Sequence, residues 1–275
     1  MLTVLSGLLA SLSYASSDMF SQRVTRATRP LTQMFWVLVT GAIVILPIAL
    51  LVDGLPDAGQ WRGAGLAALA GVLYFGALFC LLHGLQVGDL GLISALTSLQ
   101  GAYVAVVVVL LGVPVTPLVA VALVLCAVGA LLTSFEGRAK STKGASWALV
   151  AGVLFACIML CYAYGDIGWL SQSAISRTVS LVVTLPVALL TGSVAVPRAL
   201  RVRAVGAGLL ELSGVLLLTI AFSLGPPTVA GVTTTQFGTF AVILGFVLLH
   251  ERPKPNQWAG IVCTIAGVSL LAAVV

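Results

Sequence analysis

Long apolar stretches alternate along the chain with short interruptions of charge, glycine or proline. A helix needs ~20 largely apolar residues to cross the hydrocarbon layer of a bilayer, and runs of that length recur from end to end. Divided at the interruptions, they predict ten spans: 2–22, 32–52, 63–84, 90–111, 117–135, 145–165, 171–192, 203–223, 227–249 and 257–274. No connecting loop is long enough to fold alone, so the pattern predicts a single membrane domain over residues 1–275. The first run lacks the layout of a signal peptide. No basic segment precedes it, and Arg23, Arg26 and Arg29 follow it.

The pattern repeats at about half the chain length. VILPIALL at 44–51 returns as VTLPVALL at 183–190, a shift of 139. Gly88 and Gly101 match Gly225 and Gly238 at a shift of 137, and Pro117 and Gly129 match Pro255 and Gly267 at 138. The chain therefore reads as two five-helix repeats, about 1–137 and 138–275. Five is odd, so the second repeat enters the membrane from the opposite face. The predicted fold is an all-α polytopic membrane protein, ten transmembrane helices as two inverted five-helix repeats. Inverted repeats are the architecture of secondary transporters, with the substrate site near the midplane between the halves.

Composition agrees with the pattern and narrows it. Only 8% of residues are charged and 60% are hydrophobic, against roughly 25% charged in soluble domains. That excludes a soluble enzyme, a nucleic-acid binder and a single-span receptor with a folded ectodomain. The net charge of +5 is too small and scattered for a nucleic-acid groove. Sorted by loop, the cations fall on one side: Arg23, Arg26, Arg29, Arg138, Lys140, Lys143, Arg198, Arg201, Arg203, Arg252 and Lys254. The opposite loops hold Arg62 alone. By the positive-inside rule the basic side is cytoplasmic, which puts both termini outside.

Few residues can carry chemistry. The five cysteines (Cys80, Cys126, Cys157, Cys161, Cys263) fall in apolar stretches without a C-x-x-C pair and read as packing residues. Two separated histidines form no metal motif, and no cofactor-binding or catalytic signature appears. Three ionisable residues lie well inside spans: Asp18, Arg177 and Glu211. An acid there costs ~2.5–3.5 kcal/mol on insertion scales, so it should face protein or water. Asp18 shares a polar stripe with Ser11, Tyr14 and Gln22, which suits a cavity wall. Glu211 sits between Gly208 and Gly214, small residues that allow close helix approach or leave room for a ligand. At the 137 shift Glu211 corresponds to Tyr74. Each acid is a candidate cation or proton site, where protons and a cationic substrate would compete for one carboxylate. Arg177 offers the alternative of a structural ion pair.

The fourth and ninth spans carry matching small, hydroxyl-bearing faces. Ser94, Thr97, Ser98 and Gly101 become Gly231, Thr234, Thr235 and Gly238 at the 137 shift, with Gln100, Tyr103, Gln236 and Phe237 beside them. Such faces serve either helix packing or a cavity between the halves.

Two five-helix repeats, together with Leu248-Leu249-His250-Glu251-Arg252, Gln257, Gly260 and Gly267, resemble the EamA-type branch of the drug/metabolite transporter superfamily. The YASSDMF segment at 14–20 is similar to the first span of a subgroup of these proteins. The first repeat departs from the pattern, with Val113 where the second has Glu251. The resemblance implies ten helices, alternating access and transport of small organic solutes, most often export, and it implies termini in the cytoplasm, opposite to the charge count. We therefore expect a non-enzymatic secondary transporter of the bacterial cytoplasmic membrane. It would act as an exporter or exchanger of a small polar or cationic metabolite, as monomer or homodimer, with protons as a coupling ion. Tyr14, Asp18, Tyr74, Thr97, Ser98, Tyr103, Glu211, Thr234, Thr235 and Gln236 would line its cavity, with Gly88 and Gly225 as hinges. A lipid-carrier flippase or non-transporting scaffold of the same fold is the alternative.

Overall fold

The computed structural model describes residues 1–54, 57–88, 90–112, 115–134, 143–249 and 254–274. Asp89, Val113, Arg138, Lys140 and the His250–Glu251–Arg252 run lie outside them. Twelve α-helices follow one another among the described residues: α1 (Leu2–Ala27), α2 (Pro30–Val52), α3 (Trp61–Val87), α4 (Leu90–Ser98), α5 (Gln100–Leu110), α6 (Pro117–Ser134), α7 (Ala145–Ala163), α8 (Trp169–Leu190), α9 (Arg201–Leu224), α10 (Pro227–Thr234), α11 (Phe237–Leu249) and α12 (Pro255–Val274). They make ten spans, because α4–α5 and α10–α11 are each one span broken in the middle. The protein is an all-α polytopic membrane protein. Seven described stretches are long and apolar enough to cross a bilayer unaided. α1 falls short through its serines and Asp18, and α10–α11 through its break.

Both breaks differ from the continuous fourth and ninth helices that hydropathy predicts, and at the second the cause is local. The Val232 carbonyl accepts the Thr235 N–H at 3.3 Å, the Thr235 hydroxyl at 2.9 Å and the Gln236 Nε2–H at 2.9 Å. Side-chain donors thus compete for the carbonyl that continues the helical ladder, and the turn tightens. The first break falls at Leu99, whose counterpart at the 137 shift is Gln236.

The repeat is visible in the packing. Gly71 of α3 lies against the Ser176 carbonyl and Val179 of α8, while its counterpart Gly208 of α9 lies against Val37 and Thr40 of α2. No larger residue fits either crossing. The two LP segments end alike: Gly54 after α2 and Gly192 after α8 take positive φ (71° and 65°), the left-handed cap that glycine adopts without strain. α6 and α12 close on each other through Gly129, Gly260 and Gly267. The largest buried cluster joins α2, α3, α7 and α9.

Loop contacts sort the two ends of the bundle. At one end Arg26 donates to the Gly88 carbonyl, Arg29 to the Thr191 carbonyl and Trp36 to the Val194 carbonyl. This end gathers the described cations of three loops, those after α1, before α7 and after α8. At the other, Asp53 accepts from the N–H and hydroxyl of Ser171, and Gly225 meets Thr3. Gly88 and Gly225 are extended helix caps, pressed against Lys143 and Thr3.

Candidate functional site

α1 supplies the site's most polar wall, and its serines fix its position. Ser11 donates to the Thr233 carbonyl of α10 and Ser17 to the Ala207 carbonyl of α9, both at 2.9 Å. Ser21 accepts from Gln33 Nε2 of α2 at 3.1 Å. With those hydroxyls spent on neighbouring helices, Asp18 is left facing inward. Among the described residues no cation pairs with it and no donor reaches its carboxylate.

Asp18 borders a partly open cavity at mid-bundle, about 710 Å³ when the open solvent within it is counted. Tyr14, Tyr74, Phe155, Tyr162 and Phe237 give it aromatic walls, Glu211 adds a second carboxylate, and Thr97 and Gln100 contribute polar groups beside the α4–α5 break. The described lining contains no lysine or arginine. Two pairs of lining residues are repeat counterparts at the 137 shift: Tyr74 with Glu211, and Gln100 with Phe237. The cavity therefore lies between the halves. Leu81, Leu82 and Ser21 extend it toward the end of the bundle that carries the basic loops.

The second acid is in a different situation. Glu211 is 4% exposed and Arg177 3%. Glu211 forms an ion pair with Arg177 of α8 and accepts a hydrogen bond from its repeat counterpart, the Tyr74 hydroxyl. The Arg177 guanidinium also sits over the Tyr74 ring, 5.3 Å from its centre, a cation–π contact. Tyr74 stands edge-on to Phe155 with ring centres 5.9 Å apart. Behind this layer Tyr162 and Ser176 share a 2.6 Å hydrogen bond, which closes the cavity toward the end opposite the basic loops. Arg177, Ser173 and Ser180 border a small polar void there.

Of the residues expected in the site, Tyr14, Asp18, Tyr74, Thr97 and Glu211 line one cavity. Ser98, Thr235 and Gln236 border a separate, much smaller void between the two helix breaks. Thr234 is fully buried and donates to the Ala230 carbonyl. Tyr103 packs against the main core. Gly101 meets the Thr235 side chain and the Gly231 carbonyl, so the matching small faces of the fourth and ninth spans pack on each other. Gly208 and Gly214, either side of Glu211, admit α2 and the Tyr14 ring. Sequence reasoning missed Phe155 and Tyr162.

A family model described as the EamA-like transporter family matches residues 1–135 and 142–273. No curated protein matches the chain. Among solved structures, 29 chains match. One, a crystal structure described only as that of a protein, superimposes with a TM-score of 0.78, covering 99% of this chain and 96% of the other at 15% identity. At that identity the likeness concerns the fold alone.

Proposed function

Because the chain belongs to the EamA-like transporter family, we propose that it is a secondary transporter exporting or exchanging a small cationic organic metabolite by alternating access. One observation carries the reading: Asp18 is a carboxylate with no partner among the described residues, on an aromatic cavity between the halves. Arg177 compensates Glu211, so among the described residues Asp18 is the intramembrane acid left without a counter-charge. A carboxylate with no counter-charge in such a place is costly unless a cation visits it. Aromatic rings opposite the acid add cation–π attraction and exclude water. A lipid phosphate would need basic residues, and the described lining has none. A proton on Asp18 in place of the substrate supplies the exchange half of the cycle.

The decisive experiment is transport of organic cations into proteoliposomes by the wild type and by Asp18→Asn. Asparagine keeps the shape and removes the charge, so we expect transport to fall at least about tenfold with the fold intact. Unchanged rates in Asp18→Asn would end the reading. The basic loops set the orientation, with both termini extracytoplasmic. A cysteine replacing the exposed Arg198 in a cysteine-free background should be labelled only from the cytoplasmic side.

A further inference from the structure

The two broken spans are not chemically equivalent where they meet the cavity. In the second half, Thr234 is satisfied by the Ala230 carbonyl, and the counterpart of Gln100 is the apolar Phe237. In the first half, Thr97 and Gln100 flank the break at Leu99. The Thr97 hydroxyl and the Gln100 Oε1 have no hydrogen-bond partner among the described residues, although the two residues are 1% and 5% exposed. Ser94 Oγ, one turn before Thr97, is likewise unpartnered. Buried polar groups are almost always paired, and leaving one unpaired costs stability. Four other hydroxyls on the cavity wall are committed: Ser17 to Ala207, Ser21 to Gln33, Tyr74 to Glu211 and Tyr162 to Ser176. Apart from the Asp18 carboxylate and the Tyr14 hydroxyl on α1, the unmet hydrogen-bonding capacity of the described cavity wall lies at the α4–α5 break.

Resting on the cation-transport reading above, we propose that Thr97 and Gln100 form a second subsite, which receives a hydrogen-bond-donating hydroxyl or amino group of the substrate. The substrate class is then an organic ammonium with a separate polar donor, such as an amino alcohol. A purely apolar ammonium would occupy the aromatic part and leave the break unsatisfied. Sites built to bond a polar substituent discriminate strongly against analogues that lack it, because their own groups are then left unpaired. Gln100→Leu and Thr97→Val should remove that discrimination. Neither change breaks a hydrogen bond among the described residues, so both variants should melt at or above the wild-type temperature.

The test compares binding of choline and of propyltrimethylammonium, which replaces the hydroxyl by a methyl group, to the purified full-length protein by calorimetry. The expected result is a preference of about tenfold or more for choline in the wild type. The preference should fall to about one in Gln100→Leu, with propyltrimethylammonium affinity unchanged. Equal binding of both probes by the wild type would overturn the subsite and leave the cation reading standing. Binding of neither would overturn both. A preference that survives in Gln100→Leu and Thr97→Val, or a lower melting temperature in these variants, would make the two residues structural and sink the proposal. A sodium-dependent rise in melting temperature that Gln100→Leu abolishes, without hydroxyl preference, would assign the oxygens to an inorganic cation and equally overturn it.

Discussion

Asp18 and Glu211 border the same cavity, yet their surroundings differ in kind. Glu211 is buried between Arg177 and Tyr74, with its charge balanced and a hydroxyl donated to it. Asp18 stands on α1 with its neighbouring serines turned to other helices and, among the described residues, no partner for itself. A carboxylate whose neutralising partner is built into the protein belongs to the architecture. One that lacks such a partner depends on something mobile, a substrate cation or a proton. The difference also divides the halves. The second repeat holds α8 and α9 together through its ion pair, while the first presents the open acid.

The largest expected effect comes from dismantling the paired acid. Arg177→Met leaves Glu211 as a lone buried charge, and removing one partner of a buried pair costs ~3–5 kcal/mol. The melting temperature of the detergent-solubilised protein should drop sharply. The double variant Arg177→Met, Glu211→Leu should recover most of the loss, because an apolar pair of similar volume removes the uncompensated charge. Asp18→Asn, measured the same way, should leave the melting temperature unchanged or raise it, since it breaks no contact among the described residues and removes an uncompensated charge. If Arg177→Met and Asp18→Asn melt alike, the distinction between the two acids is wrong.

A smaller effect tests how much of the restraint on Glu211 comes from across the repeat boundary. Tyr74→Phe removes the hydroxyl that donates to Glu211 but keeps the ring over which Arg177 lies. Hydrogen bonds to charged groups contribute ~1.5–3 kcal/mol, and Arg177 still neutralises the acid. The expected loss is therefore below that of Arg177→Met, read by the same thermal melt. An equal or larger loss would mean that the tyrosine, and not the arginine, is the partner that matters.

Much of this was legible in the sequence. Hydropathy located all ten spans, and the repeat shift of 137 identified Tyr74 and Glu211 as counterparts before the structure brought them into contact. The scarcity of charge singled out Asp18, Glu211 and Arg177. What stayed hidden depends on geometry. Leu99 and Gln236 lie in short polar runs, Thr97-Ser98-Leu99-Gln100 and Thr233-Thr234-Thr235-Gln236, that suit a continuous cavity-facing helix equally well, so hydropathy could not register that side-chain donors displace the helical ladder at the second of them. Ser98, Tyr103 and Thr234 look like cavity residues by spacing alone, but helix rotation turns them to the second void, the core and a backbone carbonyl. Tyr162 ends an apolar run, and nothing in its own neighbourhood marked it as part of the wall.

Tyr162 also supplies the finest test of the comparison. Its hydroxyl shares a 2.6 Å bond with Ser176, one residue before Arg177 on α8. Both groups are neutral, so Tyr162→Phe should cost only ~0.5–1.5 kcal/mol. Ser176→Ala should cost at least as much, because it leaves the buried Tyr162 hydroxyl without this partner, whereas the serine left by Tyr162→Phe can turn to a backbone carbonyl of its own helix. A double-mutant cycle on the two gives their coupling directly. If the bond belongs to the same rigid layer as the Arg177–Glu211 pair, Tyr162→Phe will be non-additive with Tyr74→Phe but additive with Asp18→Asn. Coupling to Asp18→Asn instead would join the two acids into one unit and dissolve the contrast between a fixed carboxylate and a free one.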